Sequence, residues 1–67
     1  GDLAKAEEIS YQMLKLFPGD PMVNYNIGAI EATKGNKDKA REIWTKLIQD
    51  NPDDPTSELA KNSLNKL

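Results

Sequence analysis

Apolar residues recur along this chain at spacings of three, four and seven, in four segments divided by clusters of Pro, Gly, Asn and Asp. The first segment carries Leu3, Ala6, Ile9, Met13, Leu14 and Phe17 on one side, with Asp2 placed to cap its start. Pro18 stops it, because the residue before a proline is pushed out of the α region. Asp20-Pro21 opens the second helix, Asp as N-cap and Pro in the first turn, where its missing N–H costs nothing. This helix has two apolar stripes, Val23, Ile27 and Ile30, and Met22, Tyr25, Ala29 and Ala32, so it is expected to touch protein on both sides. Gly35 is expected to end it in left-handed conformation, and Asn36 to cap the third helix. There Ala40, Ile43, Trp44, Leu47 and Ile48 make one face, and Asn51-Pro52 ends it. Asp54-Pro55 opens the fourth, with Leu59, Ala60, Ser63, Leu64 and Leu67 opposite Glu58, Lys61, Asn62 and Asn65. It is the least apolar of the four and reads as a cap with a wetter outer face. No segment alternates with the period of a half-buried strand, and the short connections turn each helix antiparallel to the last. The expected fold is all-α, with four helices.

The pattern also repeats. At an offset of 34 residues Gly1 pairs with Gly35, Lys5 with Lys39, Ala6 with Ala40, Glu8 with Glu42 and Ile9 with Ile43. Pro18, Asp20 and Pro21 pair with Pro52, Asp54 and Pro55, and Met13 faces the similar Leu47. A fixed period in this range implies stacked units, each covering its apolar face with the next.

Size makes that stacking consequential. A domain of 67 residues buries only about 60% of its unfolded surface, and this chain has neither Cys nor His to add a disulfide or a Cys/His zinc site. Stability is therefore expected to draw on neighbouring repeats or on another copy; the opening Gly1-Asp2, in mid-period, favours a piece of a longer array. Net charge is −2, from 9 basic and 11 acidic residues mixed along the chain. No basic block offers a footprint for nucleic acid, and no apolar run is long enough to cross a membrane.

On these residues the chain resembles the tetratricopeptide repeat family, whose unit is about 34 residues of paired helices. Ile27-Gly28 looks like the large-small pair of that family's first helix, Gly35 like its inter-helix glycine, and Ala40 like the small residue of its second helix. Trp44 falls at the aromatic position, Leu47 where the family usually has Ala, and Pro52 at the closing proline. The resemblance implies a short right-handed superhelix: residues 1–19 as the second helix of a preceding repeat, 20–54 as one complete repeat, 55–67 as a capping helix. Two positions depart from the pattern. Glu31 and Asn24 stand where the family often has large residues, which implies looser helix pairing, with Tyr25 and Ile30 compensating. Independently of the family, Gly28 and Ala40 are expected to let two helices approach closely while Trp44 and Leu47 fill the space around them.

Catalysis finds little support. Without His or Cys, the hydroxyls of Ser10, Thr33, Thr45, Thr56, Ser57 and Ser63 have no evident base. Adjacent carboxylates such as Glu7-Glu8 do not face each other on a helix, and Asp50, Asp53 and Asp54 lack the regular spacing of a calcium loop. No cofactor or metal is expected. By the resemblance, the first helix of each pair lines a concave groove for a peptide or a partner helix. Here that groove comprises Met22, Tyr25, Asn26, Ala29 and Thr33, with Leu59 and Ser63 from the capping helix. Tyr25 and Met22 each suit ordinary packing equally well. Some family members clamp a terminal carboxylate with cations in this groove. The corresponding Met22, Tyr25, Ala29, Thr56, Leu59 and Ala60 carry no charge, and only Asn26 fits, so no clamp is expected. A second surface is the first helix, where Ile9, Met13 and Phe17 form an apolar patch suited to upstream repeats or to self-association.

Overall fold

The computed structural model describes residues 2–67. Among these, four helices and no strand follow one another: α1 (Asp2–Leu16), α2 (Pro21–Thr33), α3 (Lys37–Asp50) and α4 (Pro55–Asn65). Each packs on its chain neighbour; α2 also meets α4, whereas α1 packs on α2 alone.

The helix ends follow from their local chemistry. The Asp20 carboxylate accepts the backbone N–H groups of Met22 and Val23, and Asp54 accepts that of Thr56, with Pro in the first turn of both helices. Gly35 has φ +92°, the backbone conformation that only glycine takes up without strain. Around it the N–H of Asn36 reaches the Glu31 carbonyl (2.8 Å) and that of Gly35 the Ala32 carbonyl (3.1 Å), closing α2 with a Schellman motif. Two expected caps are corrected. Asp2 lies inside the first turn of α1, where its charge favours the helix N-terminus, and the preceding Gly1 is outside the described residues. Asn36 makes no side-chain cap to α3, because its amide is drawn back to the Glu31 carboxylate.

The core lies in α2, α3 and α4: Ile27, Ile30, Ala40, Trp44, Leu47 and Ala60 are buried. Its tightest contact is the crossing of α2 and α3. A Cβ on Gly28 would stand 2.6 Å from Trp44 Cε2, so the indole lies directly on the glycine backbone. Trp44 Nε1 donates to the Tyr25 carbonyl at 3.1 Å, and its ring stacks on Tyr25 with centroids 5.8 Å apart. Two helical faces differ from expectation. In α4 the inward side is Thr56, Ser57 and Ala60, with Leu64 and Leu67 half-buried, while Leu59 is exposed. The Ser57 hydroxyl, bonded to the Asn51 carbonyl, helps fix that rotation. In α1 no residue is buried. Glu7, Ser10, Tyr11 and Leu14 are half-buried, whereas Leu3, Ala6, Ile9, Met13 and Phe17 of the expected apolar side are exposed.

Glu31 corrects the expectation of loose pairing. It is 1% exposed, its carboxylate accepting the Tyr11 hydroxyl (2.6 Å) and the Asn36 amide (2.8 Å), with the Lys39 ammonium 3.7 Å away. A buried charge is tolerated when it is paired and hydrogen-bonded in this way. Asn24 likewise ties the α1–α2 turn, its amide donating to the carbonyls of Pro18 (3.1 Å) and Asp20 (3.0 Å).

Candidate binding groove

One side of α2 is largely exposed to solvent. Met22, Asn26, Ala29 and Thr33 recur there at helical spacing; Ala29 is half-buried and the other three are exposed. The Thr33 hydroxyl is turned onto its own helix, donating to the Ala29 carbonyl at 2.9 Å. Leu59 of α4 is also exposed, at 44%.

Tyr25 and Ser63 are used differently. Tyr25 is half-buried against the Trp44 ring, and its hydroxyl is 3.0 Å from the Ser63 hydroxyl. These two side chains join α2 to α4. Of the positions at which a carboxylate clamp would need cations, Thr56 and Ala60 are buried.

On its other flank the α2 strip meets α1. Ile9, Ser10 and Met13 face Met22, Val23 and Asn26 across a cleft of about 320 Å³, with Asp20 at its end. Asp20 is the one charged residue in this lining, and its Oδ1 is already occupied in capping α2. The lining therefore offers mainly apolar contact, with the Asn26 amide beside it as donor and acceptor. Sequence reasoning treated the groove and the first-helix patch as separate surfaces; here Ile9 and Met13 belong to the same cleft as Met22 and Asn26. A smaller recess of about 210 Å³ lies elsewhere, between the α1–α2 turn and α3, lined by Pro18, Asn24, Ile43 and Lys46 among others.

Electrostatics concentrate at Glu31 and Tyr11. The Asn36 and Tyr11 hydrogen bonds hold the Glu31 carboxyl below the usual carboxylate value, helped by Lys39 and opposed by burial. Burial, followed by the bond to Glu31, pushes the Tyr11 phenol up to about 12. The Lys39 ammonium also stands 5.9 Å from the centre of the Tyr11 ring. Sequence reasoning missed this cluster; the one available signal was an acidic residue at a position where a large apolar one was expected. Among the described residues no three carboxylates converge as metal ligands would, and no helix is long and apolar enough to cross a membrane.

No protein-family model matches the chain, and no significant match appears among curated proteins or solved structures.

Proposed function

We propose that the chain is a helical-repeat module of tetratricopeptide type, forming a short right-handed superhelix. It acts as a non-catalytic scaffold that holds a peptide or a partner helix along the open side of α2. The observation that carries this reading is the continuity of that side. Met22, Asn26 and Thr33 stand exposed, with the apolar Ile9–Met13 wall of the cleft to one flank and exposed Leu59 on the neighbouring α4. The 34-residue repetition and the close contact at Gly28 support the superhelical arrangement. Met22 and Met13 give an adaptable apolar surface, and Asn26 supplies a hydrogen-bonding pair for a peptide backbone. With Met22 and Leu59 where a clamp would carry cations, recognition rests on side chains of the partner and not on its terminal carboxylate.

A displayed peptide library panned on the chain tests this. Selected peptides are expected to bind Met22→Glu at least about tenfold more weakly, a loss of roughly 1.4 kcal/mol. They should be indifferent to Thr45→Glu, an exposed position on α3. Peptides that ignore Met22→Glu would remove the groove from consideration.

A second reading is self-association, favoured by the exposure of Ile9 (50%), Leu16 (70%) and Phe17 (52%). Sedimentation that stays monomeric over a wide concentration range would exclude it.

A further inference from the structure

The inventories of α1 and of the rest of the molecule differ in kind. Among the described residues, all the buried apolar side chains belong to α2, α3 and α4, and α1 contributes none. What fastens α1 combines the apolar surface of α2 that it covers with a few specific polar contacts. The Tyr11 hydroxyl donates to Glu31, and Glu7 pairs with Lys34 at the end of α2, with Leu14 half-buried beside them. We propose that α1 is a hinged flap, undocking from α2 as a unit while α2–α4 stay folded, with the Tyr11–Glu31 and Glu7–Lys34 contacts as its clasp.

Three features make this opening separable from global unfolding. First, Glu31 is not orphaned when Tyr11 leaves, because Asn36 and Lys39 remain and the uncovered oxygen meets water. Second, the pivot is defined. Asn24 holds the Pro18 and Asp20 carbonyls to α2, so the swing falls at Phe17, where the chain leaves α1 and nothing is buried. Third, the Trp44–Gly28 and Trp44–Tyr25 contacts lie entirely between α2 and α3, so they survive the opening. Opening uncovers apolar surface of α2, which keeps the closed form dominant. It also carries Ile9 and Met13 away from Met22 and Asn26, so the cleft exists only in the closed form.

The charged and titratable groups facing the clasp are Glu7 and Tyr11 from α1, Lys34 and Glu31 from α2 and its end, and Lys39 from α3. With Glu31 held ionised and Tyr11 held neutral, the clasp stays shut across the neutral range. It is opened by thermal fluctuation or by a competing partner, not by a small change of pH.

Amide hydrogen exchange on the whole chain reads this directly, since a helix of 15 residues is marginal once undocked and its amides become accessible. In the wild type, α1 amides are expected to exchange well ahead of those in α2–α4. Tyr11→Phe should speed the α1 amides by about tenfold, the loss of one hydrogen bond to a charged group. Leu47→Ala should speed α2–α4 and leave α1 rates unchanged, because it weakens the closed and open forms alike. Should Leu47→Ala fail to fold, Ile48→Val makes the same comparison more gently. If α1 amides accelerate by the same factor as the core amides in either core variant, they exchange only through global unfolding and the flap does not exist.

Discussion

Helices α1 and α3 match at an offset of 34 residues and share residues at corresponding positions, yet they meet opposite surroundings. Ala6 and Ala40 are the same amino acid in the same register; the first is exposed and the second is fully buried. Met13 is 37% exposed, and its counterpart Leu47 is 3% exposed. Ile9 is half in water, while Ile43 packs against the core. The difference lies in the neighbours. α3 is held between α2 and α4, whereas α1 packs on α2 alone. The apolar period of a helix thus states which side can be buried; whether it is buried depends on a second element being there.

Matched substitutions turn that contrast into numbers. Leu47→Ala is expected to cost about 2–5 kcal/mol, because it removes side-chain volume from a closed core, and Met13→Ala under about 1 kcal/mol. Chemical denaturation of both variants would show it, and similar losses would mean that α1 is packed as firmly as α3. A smaller contrast is expected at the alanines. Ala40→Leu should cost about 1–3 kcal/mol by overpacking the α2–α3 approach, while Ala6→Leu should leave the melting midpoint nearly unchanged. An unmoved midpoint for Ala40→Leu would sink the close-packing account.

The smallest effect concerns pH, and it probes the junction between the two regions. A carboxyl with a depressed folded pKa gives stability that is complete above its unfolded pKa and is lost as pH falls through the folded one. Glu31, lowered from 4.5, should therefore leave stability level near neutrality and let it fall below about pH 4.5. For Tyr11, raised from 10.0 to about 12, the loss runs the other way, as pH climbs between those two values. Glu31→Gln should flatten the acid limb and Tyr11→Phe the alkaline one. Denaturant midpoints measured across pH would refute the linkage if each variant kept the wild-type slope.

Much of this architecture was legible because it is set within a few residues. Asp20-Pro21 and Asp54-Pro55 start helices where expected, since a cap needs only the N–H groups two or three positions on. Gly35 takes the positive φ that closing α2 requires, and Gly28 lies under Trp44 as the small-large pairing suggested. Most of the departures turn on what a side chain meets in the folded molecule and not on its immediate sequence neighbours. Asn36 has the right chemistry for a cap, but a buried carboxylate five residues back claims its amide. Glu31 was expected to loosen the helix pairing, and its partner Tyr11, which lies twenty residues away, was not foreseen. Of the groove positions, Met22, Asn26, Thr33 and Leu59 are exposed and Ala29 half-buried, while Tyr25 and Ser63 face each other. A tyrosine suits a wet groove and a helix junction equally well, so its sequence position alone did not separate them.

The indole that rests on Gly28 also determines what an optical experiment on this protein is able to see. Trp44 is the single tryptophan, 3% exposed, with its N–H bound to the Tyr25 carbonyl and its ring against the Tyr25 ring. Its emission therefore reports on the seam between α2 and α3 and is blind to the amino-terminal helix. Far-ultraviolet ellipticity sums over all four helices, α1 included. A denaturation curve recorded by fluorescence would thus describe a smaller object than one recorded by ellipticity, and the gap between the two midpoints would be a direct optical reading of how loosely the first helix is attached.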